Sequence, residues 1–175
     1  MRISRRGVLA LFAGALSSSA AAQWSGWDYT YDRELKPWQE LRLQLPPYPQ
    51  SETLIAFDAG AATQHRFFVD EKSISLGEDG VVRYTLVVKA AGGATNVLFE
   101  GIRCETREKK TYALGHNDGT WGRARNPDWR FIEGRMYDRH YNVLYGDIFC
   151  RGKLPMESVK DMTQALRQGA ARIRN

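Results

Sequence analysis

Apolar and polar positions alternate most regularly between Val81 and Lys89. On an extended chain Val82, Tyr84, Leu86 and Val88 share one side, and Arg83, Thr85 and Lys89 share the other with Val81 and Val87. A period of two predicts a strand of an antiparallel sheet. Asp79-Gly80 stands just before it, and glycine accepts a positive φ without steric cost, so the chain reverses there. Beyond Ala90 to Thr95, which includes Gly92-Gly93, a second pattern runs from Asn96 to Cys104, with Leu98, Ile102 and Cys104 on one face and Val97 and Phe99 on the other. Strict counting puts Glu100 on the Leu98 face. Two readings follow: burial against a partner such as Arg103, or a bulge at Gly101 that turns the carboxylate outward. The outward bulge is the preferred expectation, because a buried charge needs well-placed partners.

Shorter strand patterns flank this pair: Thr53 to Phe57, Phe67 to Asp70, Ser73 to Leu76, Lys110 to Leu114, and a late one at Ile148, Phe149 and Cys150. Near the end the period changes. Val159, Met162 and Leu166 recur at helical spacing after Pro155, which suits a first helical turn, and the basic Arg172 and Arg174 suit a helix end or tail. Many short strands without alternating helices predict a mainly β (α+β) fold, a single antiparallel sheet or small barrel-like domain with a C-terminal helix.

The first 22 residues carry Arg2, Arg5 and Arg6, a short apolar run from Val8 to Leu16, and Ala20-Ala21-Ala22 before Gln23. That pattern predicts a secretory signal peptide, too short for a membrane span. Ser4 to Leu9 also fits a twin-arginine signal, so the export route stays open. Of the 175 residues 153 remain after cleavage, the size of one domain, and the loss of three arginines and no acids lowers the net charge from +5 to +2. A nucleic-acid partner thereby loses its support. Export, with the periplasm as destination, also favours a disulfide between Cys104 and Cys150, the only two cysteines, over free thiols. The expected layout is an aromatic and proline-rich arm (23–52), a β core (53–154) and a C-terminal helix with a basic tail (155–175).

In the arm, Trp27, Tyr29 and Tyr31 alternate, with Trp24 and Trp38 on either side. They could form a strip for a glycan or peptide, but packing on the sheet is preferred, since aromatics are first of all hydrophobic anchors. Pro46, Pro47 and Pro49 make the next stretch stiff and poor in donors, a rigid crossing or a recognition segment.

Catalytic chemistry is weakly signalled. There is no Gly-x-Ser-x-Gly, and His65, His116 and His140 share no metal-ligand spacing, so neither a catalytic residue nor a cofactor or metal is assigned. Gly115 to Gly122 puts His116, Asp118 and Trp121 close together, although Asn117-Asp118-Gly119 reads equally well as a plain turn and lacks the spaced oxygens of a calcium loop. Glu100, His116 and Asp118 are the candidates for acid-base work. Trp121, Arg123, Arg125 and Trp129 are the candidates for a cationic, aromatic surface facing an envelope protein, glycan or lipid component.

Leu45-Pro46-Pro47-Tyr48-Pro49, Phe68-Val69-Asp70, Ser73-Ile74-Ser75-Leu76-Gly77, Asp79 to Val87, Asn96 and Glu100-Gly101-Ile102-Arg103-Cys104 together resemble the CNP-one-like (cryptic neisserial protein) family. Lys110-Thr111-Tyr112-Ala113, Trp121 and Trp129 fit as well. The resemblance implies an exported protein of unassigned function and supplies no catalytic or ligand-binding residues. The function expected is a non-catalytic envelope binding or assembly module, with a periplasmic acid-base enzyme as the alternative.

Overall fold

The computed structural model of the protein describes residues 37–60, 64–135 and 138–173. The expected signal peptide and Trp24, Trp27, Tyr29 and Tyr31 lie outside them. At the centre is an antiparallel sheet whose spatial order follows the chain: β1 (Leu54–Phe57), β2 (Arg66–Leu76), β3 (Val81–Lys89), β4 (Thr95–Arg103), β5 (Glu108–Gly115) and β6 (Trp121–Arg123). A short β7 (Arg130–Phe131) pairs with the other end of β5. β1 and β6 end the order without pairing to each other, so of the two expected forms the single open antiparallel sheet, not the barrel, is the one found.

The two strands expected at 67–70 and 73–76 are one, interrupted by a register shift between Asp70 and Ser75. Ser73 explains the continuity. Its Oγ accepts the Thr85 N–H at 2.7 Å and donates to the Asp70 carbonyl at 2.7 Å, so a side chain stands in for the missing ladder carbonyl.

The alternation in β3 and β4 sorts the sheet into two covered faces. Val82, Tyr84, Leu86, Ile102 and Cys104 point to one of them and are inaccessible to solvent. They pack under α1 (Arg139–Val143), the π-helical turn that continues it (Leu144–Phe149), the small hairpin β8 (Cys150–Arg151) with β9 (Leu154–Pro155), and α2 (Val159–Ile173). The late strand expected at 148–150 is therefore mostly π-helix. Its apolar run is too short for periodicity to separate the two forms. α2 begins after Pro155, which belongs to β9, at a Ser158-x-x-Asp161 cap in which the Ser158 oxygen accepts the Asp161 N–H. Met162 and Leu166 enter the core as their spacing predicted. The disulfide joins Cys104 to Cys150 with Cα atoms 5.7 Å apart, and closure of a loop of this size contributes about 4 kcal/mol in the chain-entropy model.

Phe68, Val87, Val97, Phe99 and Tyr112 form the opposite face. Residues 38–50 cross it as an extended strap without ladder partners. Side chains hold it down. Trp38 Nε1 donates to the Asp79 carbonyl at 2.8 Å, and Leu41 N donates to Asp79 Oδ2 at 3.0 Å. Glu40 accepts Lys110 Nζ and the Tyr112 hydroxyl, each at 2.7 Å. Further along, Trp121 Nε1 donates to the Pro46 carbonyl at 3.0 Å and the Tyr48 hydroxyl to the His116 carbonyl at 2.8 Å. Prolines suit such a strap, because a segment that forms no ladder loses nothing by lacking N–H groups. No helix among the described residues is long and apolar enough to cross a membrane.

Candidate functional site

Glu100 is not turned outward. The register slips between Phe99↔Ala113 and Glu100↔Thr111, so the extra residue is Tyr112 on β5, and Glu100 keeps the inward side that simple counting gave it. Gly101 matters here through close approach: a Cβ at that position would lie 2.8 Å from the Tyr112 hydroxyl. Glu100 is fully buried between the sheet and α1. Oε1 accepts the Thr111 hydroxyl at 2.8 Å and the Tyr141 hydroxyl at 2.9 Å, and Oε2 accepts the Tyr84 hydroxyl at 3.3 Å. Arg103, the partner considered from the sequence, is on the other face, where its guanidinium stacks on Trp38 at 4.1 Å.

Lys109 supplies the positive charge beside this carboxylate. Its Nζ lies 3.5 Å from the centre of the Tyr141 ring and 4.0 Å from Asp138. Burial pushes the Glu100 carboxyl above its ordinary range, against the pull of Lys109 and the three hydroxyls. Burial likewise lowers Lys109, opposed by Glu100 and Asp138. His140 stacks on Phe67 at 4.6 Å and against Tyr141, and burial followed by repulsion from Lys109 lowers it to about 4. The cluster satisfies a buried carboxylate with donors from three separate elements, an arrangement that fixes the seating of α1 on the sheet.

The other acid-base candidates do not join it. His116 stands five residues beyond Thr111, about 16 Å of strand. Asp118 is exposed and occupied by its own turn, accepting the Thr120 N–H at 3.0 Å and hydroxyl at 2.7 Å, which hold its carboxyl below the usual range. Gly119 has φ 83°, as the Asp-Gly turn requires. The four residues expected as a ligand surface fall in two settings. Trp121 packs inward on Phe99 and Tyr48, and Trp129 meets Trp38 and Tyr112 edge-on at 5.9 and 6.3 Å. Arg123 and Arg125 remain exposed. The tryptophans, half-buried, anchor the strap, and the arginines are exposed.

What sequence reasoning missed is a groove of about 610 Å³ beside the disulfide. The π-helical turn brings Gly146 and Asp147, β8 brings Arg151, α2 brings Gln168 and Gly169, and the end of β1 brings Phe57. π-Helical turns recur at functional sites because the extra residue redirects nearby side chains. Glycines at 146, 152 and 169 keep its walls low, and a Cβ at any of them would meet nothing within 4 Å. Their recurrence was the available signal, but the contact of three distant elements is invisible in the linear chain. The volume lies in the range of small-ligand clefts.

These features define a class: an open antiparallel sheet with a disulfide-tied helical layer on one face and an extended strap on the other. Within that class, the CNP1-like family model matches residues 33–167, and the chain belongs to this family. No curated protein and no solved structure gives a significant match.

Proposed function

We propose that the protein is an exported, non-catalytic binding or assembly module of the cell envelope, and that the groove beside the π-helical turn is its ligand surface. The observation that carries the reading is a contrast in accessibility. Glu100, the carboxylate that burial pushes upward, is sealed by hydroxyl donors, whereas the groove of about 610 Å³ is open and lined by polar and apolar groups together. A reaction needs its acid or base within hydrogen-bond reach of a substrate, and recognition needs only a complementary surface. The basic and apolar N-terminal segment and the Cys104–Cys150 bridge support export into an oxidising compartment. The partner class is an envelope protein, glycan or lipid component.

A photo-crosslinking residue placed at Gln168, and separately at Arg125, in the full chain in cells that export it tests this reading. The expected result is a discrete product from position 168, lost when Gly169→Trp fills the groove, and none from position 125. A product from position 125 alone moves recognition to the arginine side. Absence of product at both positions contradicts the module.

A further inference from the structure

A second cavity, of about 400 Å³, opens where the strap passes over the interrupted part of β2. Pro46, Pro47 and Tyr48 form one wall, Glu52 stands on one side, and Asp70 and Ser73 of β2 form the floor. The wall is rigid: Tyr48 packs on Trp121 with ring centres 5.4 Å apart, and its hydroxyl is fixed on the His116 carbonyl. Prolines supply carbonyls without N–H groups. The Pro46 and Tyr48 carbonyls are taken by Trp121 and Gln50, and the Pro47 carbonyl accepts nothing among the described residues.

The floor carries a carboxylate with few donors. Asp70 is 4% exposed, yet its side chain accepts a single hydrogen bond among the described residues, from Lys72 N–H at 3.2 Å. A carboxylate has room for about four donors, so Asp70, on the cavity lining, keeps spare acceptor capacity. Directly across the ladder, Thr85 is wholly buried and its hydroxyl has no partner. At the interruption in β2, between Asp70 and Ser75, Ser73 takes the Thr85 N–H and the Asp70 carbonyl. The cavity therefore combines a carboxylate with spare acceptor capacity at Asp70, a second acid at Glu52 and an aromatic ring. Lys72, exposed at the rim, is the one cation on its lining.

We propose that this cavity binds an alkylammonium group, the chemistry of a lysine side chain presented by a partner peptide. An ammonium carries three donors and no acceptor, which suits Asp70 and the free Pro47 carbonyl, and its aliphatic stem suits the proline and tyrosine wall. The inference is independent of the groove beside the π-helical turn, which lies on the helical face.

The test is a titration of the full mature chain with Nα-acetyl-lysine methylamide, followed by amide chemical shifts, with the Nε-acetylated compound as the neutral control. Saturable shifts confined to Gln50, Asp70, Lys72 and Ser73, absent with the control, are expected. Asp70→Asn weakens binding by about tenfold or more, since a charge-assisted contact is lost, and Lys72→Ala tightens it by removing the competing cation. If Asp70→Asn does not fold, the neutral control alone decides. Equal binding of both compounds, shifts spread over unrelated acids such as Glu105 and Asp147, or no shifts at all overturns the proposal. Crosslinking from position 168 is unaffected by any of these results.

Discussion

The two faces of the sheet solve the same problem differently. Each buries a charged centre: Glu100 with Lys109 under the helices, and Asp79 with Arg83 under the strap. On the helical face the carboxylate is fully enclosed, its donors come from β3, β5 and α1, and the disulfide ties the layer above it to Cys104, the residue that follows β4. On the strap face Arg83 forms a two-pronged contact with Asp79 at 3.1 and 2.6 Å, and Asp79 also receives the Leu41 N–H. Hydrogen bonds from Arg83 and the neighbouring N–H groups hold the Asp79 carboxyl below its usual range despite burial. The cover there is one extended segment whose Leu41, Leu43 and Leu45 remain substantially exposed. The layered cover excludes water from Glu100, whereas the strap is a single segment held by side-chain contacts. The same chemical defect should therefore cost more on the helical face.

Glu100→Ala should show the largest effect, a loss of about 3–5 kcal/mol in urea unfolding, because it strands the buried Tyr84 and Tyr141 hydroxyls, the half-buried Thr111 hydroxyl and Lys109 at once. Next comes the bridge. Replacing Cys104 and Cys150 together by alanine should cost about 4 kcal/mol, and the loss should fall on the helical layer, visible as weakened protection of α1 amides.

His140 gives a pH-dependent effect of up to about 3 kcal/mol. Its folded pKa, about 4, lies below the ordinary histidine value of 6.5, so between those limits the unfolded chain binds more protons. The contribution is complete above about pH 6.5 and is lost as the pH falls toward 4. Glu100 acts in the opposite sense, because its raised carboxyl favours the native state more as the solution becomes acidic. The difference between the parent and His140→Phe stability profiles isolates the histidine, and the expected outcome is a shallower loss of stability below pH 6.5 in the variant. Asp79→Ala should be the mildest, about 2 kcal/mol, since water reaches the released Arg83 once the strap lifts. A cost equal to that of Glu100→Ala would break the comparison.

Much of this division can be read in the chain. The alternation of Val82, Tyr84 and Leu86 against Arg83, Thr85 and Val87 marks both faces, the prolines mark the strap, and Val159, Met162 and Leu166 mark the buried stripe of α2. Harder to read are features whose cause is remote. Glu100 is counted onto the correct face, yet its outward turn is preferred from the sequence because its three hydroxyl donors lie 16, 11 and 41 residues away. The packing of Trp121 and Trp129 against residues 38–48 is not legible either, because nothing local shows that the strap will cross them. The join in β2 depends on the Ser73 hydroxyl replacing a carbonyl, a substitution that strand periodicity does not register. The groove depends on a π-helical turn that resembles a short strand.

The central claim, that the strap is a separable cover and the helical layer is not, is tested most directly by native-state hydrogen exchange across a series of low denaturant concentrations. The Leu41 amide and the Trp38 and Trp121 indole N–H groups should exchange through a local opening of low free energy that hardly changes with denaturant, while β3 amides near Tyr84 and those of α1 exchange only through global unfolding. Convergence of the strap protons with the β3 amides at the same free energy and the same denaturant dependence would contradict it.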